Sequence, residues 1–309
     1  MAGQNYTLLV TGGTGLVGTE LKKLMPQGVY VSSKDYDLTR EVDVIRMFKD
    51  VQPDIVVHLA ARVGSLLDNM KHLVEYFDDN VLMNTLVLRE AYRNNVDRFI
   101  GILSTCIYPD KVKRYPMKEE DIHAGPPHKD IFSYSYAKRC LAVQIEAYNR
   151  QYGTRYHYLI PCNLYGNFDA NHSERSHYVN ALIRKIYIAN KNGDKEIVLF
   201  GDGTPLRQFM HARDLARAIY LCIDKDVREN MNVAIESNLS VHEIALTALK
   251  ACNSEHLAIT YDASKPNGQF RKDVSIQKFR KFFPDFNFTT LHDGIKSVYE
   301  NLGEDCYHD

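Results

Sequence analysis

The first half of the chain alternates short apolar runs with segments whose apolar residues recur at helical spacing. The run Asp54–Ala60 (DIVVHLA) is apolar almost throughout, as strands are when helices cover both faces of their sheet. Strand–helix alternation needs crossover connections and therefore predicts a parallel sheet. Strands are predicted at 6–10, 29–33, 55–60, 98–104 and 156–161, and helices near 16–25, 42–51, 72–94 and 134–152.

The second half has a less regular pattern. After about residue 162, loops rich in Asn, Asp and Gly separate the predicted elements, which are helices near 176–191, 214–224 and 240–252 and a strand at 197–200. The sequence thus predicts an α/β fold with a Rossmann-type doubly wound parallel sheet in residues 1–162. Residues 163–309 would form a smaller C-terminal α/β substrate lobe, with some strands returning to the main sheet. Ligands of such sheets bind beyond the C-terminal strand ends.

Composition narrows the class of protein. The 309 residues are 45% hydrophobic and 25% charged, which argues against a disordered, fibrous or membrane protein. The 38 Lys and Arg residues nearly balance the 39 Asp and Glu residues, so a basic surface for nucleic acid or lipid is not expected. The six cysteines show no metal-ligand spacing, and the N-terminal residues show no secretory signal. We expect a cytoplasmic protein with reduced thiols and no metal site.

A glycine-rich turn follows the first predicted strand. In TGGTGLVG (11–18), Gly12, Gly15 and Gly18 recur at three-residue spacing, and Gly13 also fits G-x-G-x-x-G. Such a turn lets the backbone approach a pyrophosphate at the start of the first helix. The alternative is a glycine loop used only for packing. The position of TGGTGLVG between the first predicted strand and the first predicted helix favours dinucleotide binding over packing alone.

The end of the second predicted strand bears on which dinucleotide is bound. An NAD site favours a carboxylate there, whereas Ser32-Ser33-Lys34 offers hydroxyls and a cation suited to a 2′-phosphate. Asp35 is close enough to serve the ribose instead, or to act only as a turn residue. The sequence favours NADPH.

A tyrosine, a lysine and a serine form the candidate reductase site. Tyr134 and Lys138 share the Y-x-x-x-K spacing with three other pairs in the chain, but only Tyr134 opens a predicted helix after a polar loop. Ser104 ends the preceding strand. The Lys138 ammonium is expected to lower the pKa of Tyr134, which would exchange a proton with a carbonyl or alcohol oxygen that Ser104 also binds. The alternative is a surface pair on a helix.

Two further residues suggest chemistry beyond hydride transfer. Cys106 follows Ser104 by two residues, and His177 begins a predicted helix. A thiolate and an imidazole on opposite sides of a ketone would remove and return protons at the neighbouring carbons. Cys106 as a small core residue and His177 as a structural residue stay open alternatives at this point.

Taken together, the motifs resemble those of the GDP-L-fucose synthases, which are 3,5-epimerase/4-reductases of the extended short-chain dehydrogenase/reductase family. The resemblance extends over nearly the whole chain. It rests on TGGTGLVG (11–18), HLAARVG (58–64), LSTCIYP (103–109), YSYAK (134–138), PCNLYGNFD (161–169), SHYVNAL (176–182), GDGTPLRQFMHARDLA (201–216) and DASKPNGQFRK (262–272).

The resemblance implies roles for individual residues. Cys106 and His177 would epimerise C3 and C5 of a GDP-4-keto-6-deoxy-D-mannose. Ser104 and Tyr134 would hold the C4 oxygen while NADPH delivers hydride, and Lys138 would contact the nicotinamide ribose. The implied cofactor residues are Gly12, Gly15, Leu16, Val17, Ser33, Lys34, Leu59, Ala60, Ala61, Lys138, Pro161, Asn163, Leu164 and His177. The implied substrate residues are Asn163, Lys185, Phe200, Arg207 and Lys272. Similar enzymes are homodimers that pair the helices near 72–94 and 134–152.

Departures from the family pattern keep other substrates open. Residues 167–171 read NFDAN where the family has a sequence like PHDNF, and Asn267 stands where Asp is usual. The ligand would then be another GDP-4-keto sugar such as a heptose, or the enzyme would reduce C4 without epimerisation. A 4,6-dehydratase would need Asp-Glu at the positions of Cys106 and Ile107. A non-catalytic dinucleotide sensor would not need Ser104, Tyr134 and Lys138.

Overall fold

The computed structural model describes residues 6–167, 178–265 and 267–302. The strands are β1 (Leu8–Thr11), β2 (Val29–Val31), β3 (Ile55–His58), β4 (Arg98–Ile102), β5 (His157–Pro161), β6 (Asn163–Tyr165), β7 (Glu196–Phe200), β8 (Leu206–Arg207), β9 (Phe209–His211), β10 (Met231–Val233), β11 (Leu239–Ser240) and β12 (Ala258–Asp262). The helices are α1 (Leu16–Leu24), α2 (Glu41–Val51), α3 (Leu66–Lys71), α4 (Leu73–Arg93), α5 (Phe132–Tyr152), α6 (Tyr178–Asn192), α7 (Ala212–Asp224), α8 (Val241–Ala251), α9 (Gln277–Phe282) and α10 (Leu291–Glu300).

A six-stranded parallel sheet in the order β10-β5-β4-β3-β1-β2 forms the centre of the molecule. Every residue of β1, β3, β4 and β5 is buried, because helices cover the sheet. Helix α4 packs along α5 and against α2, while α1 packs against α7. The predicted α/β fold with a Rossmann-type sheet is confirmed.

The second lobe has its own apolar core. Its sheets are small: β7 pairs with β12 in parallel, and β8 pairs with β11 antiparallel. Helices α6, α8 and α10 pack together over this core, which includes Ile183, Leu199 and Ile244. Strands β6 and β9 pair in parallel and lead from the main sheet towards this lobe.

Both halves of the chain contribute to the main sheet. After the second-lobe elements α6 to β9, the chain returns through α7, which packs on α1, to the edge strand β10. Strand β10 then pairs with β5 in the register Met231 to Leu159. The sheet is therefore completed only by residues 231–233.

Within the part of the chain that the structure describes, none of the helices has both the length and the apolar character needed to cross a membrane. The same residues contain no group of three or more His, Cys, Asp or Glu side chains that could hold a metal ion.

Candidate active site

A cavity of about 1230 Å³ lies between the C-terminal edge of the main sheet and the second lobe. Residues that follow β1 to β5 form one wall, and residues 200–209 and 267–272 of the second lobe form another. The volume exceeds the ~300–1,000 Å³ typical of small-molecule sites. The cavity is therefore large enough to hold a cofactor and a substrate together.

The turn between β1 and α1 requires glycine for two different reasons. Gly12 has a φ of 68°, and a Cβ there would lie 2.8 Å from the Ala60 nitrogen. A Cβ on Gly18 would lie 2.5 Å from the Gly13 carbonyl oxygen. The turn thus packs tightly under α1, whose N-cap Gly15 offers no side-chain acceptor. The first N–H groups of α1 stay free at the cavity, an arrangement that suits a pyrophosphate.

Ser32, Ser33 and Asp37 follow β2 and line the same cavity, whereas Asp35 does not. Lys34 is likewise not among the lining residues. The Asp35 carboxylate accepts hydrogen bonds from the Ser32 N–H and hydroxyl, both at 2.8 Å. These bonds lower the pKa of Asp35, so Asp35 closes its own turn as an anion.

The structure brings Ser104, Tyr134 and Lys138 to one region of the cavity. Ser104 follows β4, and its Oγ accepts a hydrogen bond from the Cys106 N–H at 3.3 Å. Tyr134 lies in the first turn of α5 and Lys138 one turn later. The buried Lys138 Nζ donates to the Ile102 carbonyl oxygen at 2.9 Å, and burial lowers the pKa of Lys138 to about 8.

The predicted effect of Lys138 on the acidity of Tyr134 is wrong for this structure. Burial raises the pKa of Tyr134, and the nearby Cys106 and Tyr76 raise it further. Lys138, whose ammonium donates to the Ile102 carbonyl oxygen, does not offset this rise in the pKa of Tyr134. Tyr134 is therefore a neutral phenol, able to donate a proton.

A buried chain of hydrogen bonds supports α5 behind the cavity. Thr11 Oγ1 lies 2.7 Å from His58 Nδ1, and His58 Nε2 lies 3.0 Å from Asn84 Oδ1. Asn84 Nδ2 donates to the Ala137 carbonyl oxygen at 3.3 Å. Burial, with Lys138 adding to it, lowers the pKa of His58 to about 3. This network was not predicted from the sequence, although a histidine within an apolar strand was a visible signal.

Cys106 and two cations occupy the part of the cavity next to the second lobe. Lys272 Nζ lies 3.8 Å from Cys106 Sγ. The Arg207 guanidinium donates to the carbonyl oxygens of Leu206 at 2.8 Å and of Asn267 at 3.3 Å. Burial lowers the pKa of Arg207 to about 10 and also lowers that of Lys272. Neither cation has a carboxylate partner among the described residues, so this region favours an anionic ligand.

Two of the predicted site residues, Lys185 and Lys34, lie outside the cavity wall. Lys185 donates to the Val198 carbonyl oxygen and lies 5.4 Å from the centre of the Phe200 ring, outside the cavity wall. Lys34 is exposed and also outside that wall. His177, like residues 168–171 of the variant loop, lies outside the described residues.

The remaining predicted residues all line the cavity. They are Gly12, Gly15, Leu16, Val17, Ser33, Leu59, Ala60, Ala61, Ser104, Cys106, Tyr134, Lys138, Pro161, Asn163, Leu164, Phe200, Arg207 and Lys272. The wall formed by Arg62–Asn69 was not predicted as part of the site, although its first three residues belong to the HLAARVG motif. Asn267, the departure from the family pattern, also lines the cavity, and its Oδ1 accepts the Asp202 N–H at 3.0 Å.

Comparisons with known proteins agree with this arrangement. Residues 8–234 match the NAD dependent epimerase/dehydratase family. The chain is 37% identical over 300 residues to the GDP-L-fucose synthase of Dictyostelium discoideum, covering 94% of this chain and 93% of that one.

Solved structures show the same likeness. A GDP-L-fucose synthetase from Naegleria fowleri bound to NADP has a TM-score of 0.88 at 34% identity, covering 97% of this chain and 93% of that one. A GDP-6-OMe-4-keto-L-xylo-heptose reductase from C. jejuni has a TM-score of 0.86 at 23% identity, covering 96% and 97%, and shows the shared fold alone. The chain therefore belongs to the NAD dependent epimerase/dehydratase family and, within it, to the GDP-L-fucose synthases.

Proposed function

We propose that this protein converts GDP-4-keto-6-deoxy-D-mannose to GDP-L-fucose by epimerising C3 and C5 and then reducing C4 with NADPH. The observation that carries the proposal is that one cavity holds both sets of groups. Ser104, Tyr134 and Lys138 serve reduction, and Cys106 lies in the same cavity for epimerisation. The curated relatives and the NADP-bound neighbour support the same activity and cofactor.

The residues present fit NADPH. The free N–H groups at the start of α1 would hold its pyrophosphate, and Ser32 and Ser33 would face the adenosine ribose and its 2′-phosphate. With Asp35 bonded to Ser32, its carboxylate is directed into its own turn and does not select an unmodified ribose. When bound, NADPH supplies the hydride for C4.

In the reduction, the chain's own residues bind and protonate the C4 oxygen. Tyr134 is a neutral phenol and donates its proton to this oxygen as negative charge develops there. The Ser104 hydroxyl donates a hydrogen bond to the same oxygen. Lys138 fixes the carbonyl end of β4 through its hydrogen bond to Ile102.

Epimerisation requires proton transfer at the carbons next to the ketone. One side chain takes the proton from carbon and an enolate forms, whose oxygen Ser104 and Tyr134 bind. An acid on the opposite face then returns a proton to the carbon. Cys106 would serve on one face, with the Lys272 ammonium 3.8 Å from its sulphur. The partner predicted from the sequence, His177, stays a prediction.

The substrate diphosphate would bind at the two buried cations. Arg207 and Lys272 lie in the cavity without carboxylate partners among the described residues, so an anion gains charge-assisted hydrogen bonds there. Phe200, half exposed at the cavity mouth, offers a ring surface for the base. Lys185 would affect substrate binding only indirectly, through its contacts with Phe200 and Val198.

We also propose a cytoplasmic homodimer that pairs α4 and α5 with the same helices of a second copy. Support comes from large apolar side chains exposed on these two helices, namely Val74, Phe77, Leu82, Phe132, Tyr136 and Val143. A patch of this kind marks an interface more often than a free surface. Cys106, Cys140, Cys162, Cys222 and Cys252 are all free thiols, which suits a reducing compartment.

The test is incubation of the purified protein with NADPH and GDP-4-keto-6-deoxy-D-mannose, in H₂O and in D₂O, followed by NMR of the sugar. We expect stoichiometric NADPH oxidation and an L-fucose product with deuterium at C3 and C5. A product reduced at C4 with the original C3 and C5 configuration would identify a reductase only. No NADPH oxidation with this substrate would contradict the proposed activity.

A further inference from the structure

The segment that carries Ser104 and Cys106 is fastened to α5 at both ends. At one end, Lys138 Nζ donates to the Ile102 carbonyl oxygen. At the other, the next residue of α5, Arg139, donates to the Ile107 carbonyl oxygen through Nε at 3.0 Å and also through Nη2. Helix α5 also carries Tyr134, so two successive cationic residues tie the reducing and epimerising groups together.

Arg139 is buried in an unusual way. Only 8% of the residue is exposed, and its Nη1 donates to the Gly125 carbonyl oxygen at 3.0 Å. Its hydrogen-bond acceptors are main-chain carbonyls, and no described carboxylate pairs with it. The guanidinium also lies 5.2 Å from the centre of the Tyr136 ring. Burying an unpaired charge is costly, and burial lowers the pKa of Arg139 accordingly.

The segment around the thiol also has restraints of its own, because the Ile107 N–H donates to the Ser104 carbonyl oxygen at 3.1 Å and the Ile107 side chain is buried. Thr105–Ile107 is a single 3₁₀ turn, and the Cys106 N–H bonds only to the Ser104 hydroxyl at 3.3 Å. Further along the chain, the Tyr108 hydroxyl donates to Asn232 Oδ1 at 2.8 Å. The Ile107 carbonyl, held by two guanidinium donors, is the point at which α5 anchors the turn on the C-terminal side of Cys106.

We propose that Arg139 is a positioning residue that fixes Cys106 for proton transfer at C3 and C5. The proposal rests on the proposed function and deepens it. The planar guanidinium holds the Ile107 carbonyl with two donors and the Gly125 carbonyl with a third, and this fixes the orientation of the turn. A lysine ammonium cannot reproduce this geometry. Because Ser104 is anchored separately through Lys138 and Ile102, loss of Arg139 affects epimerisation more than reduction.

The test compares Arg139→Met and Arg139→Lys with Arg150→Met, an exposed arginine on the same helix that pairs with Glu146. Two rates are measured per NADPH-binding site. One is deuterium uptake from D₂O at C3 and C5, and the other is reduction of the already epimerised ketone. Counting binding sites removes the effect of any unfolded fraction.

For Arg139→Met we expect exchange to fall by roughly 10- to 100-fold, as displacements of about 1 Å at a reacting group do. Reduction of the epimerised ketone should change less than exchange, and the KM for the GDP-sugar should stay close to the wild-type value. Arg139→Lys should recover part of the exchange rate. Arg150→Met should match the wild type in both rates.

Wild-type exchange by folded Arg139→Met, or equal loss of both rates, would overturn the proposal. If Arg139→Met yields no folded protein, Arg139→Lys decides the matter: a selective loss of exchange supports the positioning role, and a wild-type rate overturns it. Absence of exchange in the wild-type protein would contradict the proposed function, and the positioning role with it. The two failures are thus distinguished by the wild-type measurement.

Discussion

At the scale of single residues, the protonation of Tyr134 determines that the site donates a proton to the C4 oxygen. Replacing Tyr134 with Phe removes the proton donor and leaves the ring. We expect C4 reduction to fall by about 10²–10⁴-fold, the usual contribution of a positioned acid. NADPH affinity, measured by fluorescence titration, should change little. Turnover close to that of the wild type would remove Tyr134 from this role.

Cys106 should matter for a different step. A serine at this position keeps the approximate size but is a much weaker base than a thiolate. We expect Cys106→Ser to slow deuterium exchange at C3 and C5 by about 10²-fold or more. Reduction of the epimerised ketone, followed by NADPH absorbance, should remain near the wild-type rate. Equal losses in the two assays would contradict the assignment.

The sequence identified these side chains because their context differs from that of similar pairs. Tyr134 opens a helix beside a strand end, whereas Tyr30 of another Y-x-x-x-K pair donates its hydroxyl to the Met25 carbonyl oxygen outside the site. The acidity of Tyr134 was not predictable, because it depends on burial and on where Lys138 points. The position of Lys185 outside the cavity wall was not predictable either, because it depends on a hydrogen bond to the Val198 carbonyl oxygen in its own lobe.

At the scale of elements, the close packing of α1 on the glycine turn gives a test of the cofactor site. Gly18→Ala would place a Cβ 2.5 Å from the Gly13 carbonyl oxygen, and backbone atoms cannot move cheaply. We expect overpacking to lower the free energy of unfolding by about 1–3 kcal/mol. This loss should be seen as a lower Tm and weaker NADPH binding.

The control for this change is Gly125→Ala, where the new Cβ would lie an ordinary 3.4 Å from Pro109 Cβ. This variant should bind NADPH like the wild-type protein. Unchanged NADPH affinity and Tm in Gly18→Ala would show that the turn adapts and that close packing under α1 does not require glycine at this position.

Most strands of the main sheet were predictable, but β10 and several elements of the second lobe were not. Strands β1 and β3 to β5 are long enough to appear as apolar runs. Strand β8 has two residues and pairs with β11, more than thirty positions later, so only tertiary contacts define it. Helix α3 has six residues, too few for a helical period, yet its Ser65 cap and its neighbours form part of the cavity wall.

At the scale of the whole molecule, the apolar patch on α4 and α5 predicts association. Val143, 49% exposed on α5, should lie within the interface. Val143→Glu would bury a charge against apolar side chains, so we expect dissociation to the 35.5 kDa monomer in analytical ultracentrifugation. Leu246→Glu, at an equally exposed leucine on α8, should leave the dimer intact. A monomeric wild-type protein, or a dimeric Val143→Glu variant, would contradict this interface.

Buried neutral histidines should make the fold sensitive to acid. Burial lowers the pKa of His157 to about 3, that of His58 to about 3 and that of His211 to about 4. Between these values and the unfolded pKa of ~6.5, the unfolded chain binds more protons. The free energy of unfolding therefore falls as the pH falls, by up to about 1.4 kcal/mol per pH unit for each histidine.

His157 offers the clearest variant, because neither ring nitrogen has a hydrogen-bond partner among the described residues. Between pH 7 and pH 5, we expect the free energy of unfolding of His157→Phe, measured in urea, to fall by about 2 kcal/mol less than that of the wild type. The control variant His256→Phe, at an exposed histidine, should show the wild-type pH dependence of the free energy of unfolding. An identical pH dependence in His157→Phe would show that His157 is not held neutral.

The late return of the chain to its first sheet also matters for building hybrids. Strand β10, seventy positions further on, covers the edge of β5 at residues 159–161. A graft that exchanged everything after residue 162 for another enzyme's sequence would separate these strands and leave an apolar edge open to aggregation. Residues 212–233 should therefore travel with the nucleotide-binding half in any such exchange of specificity.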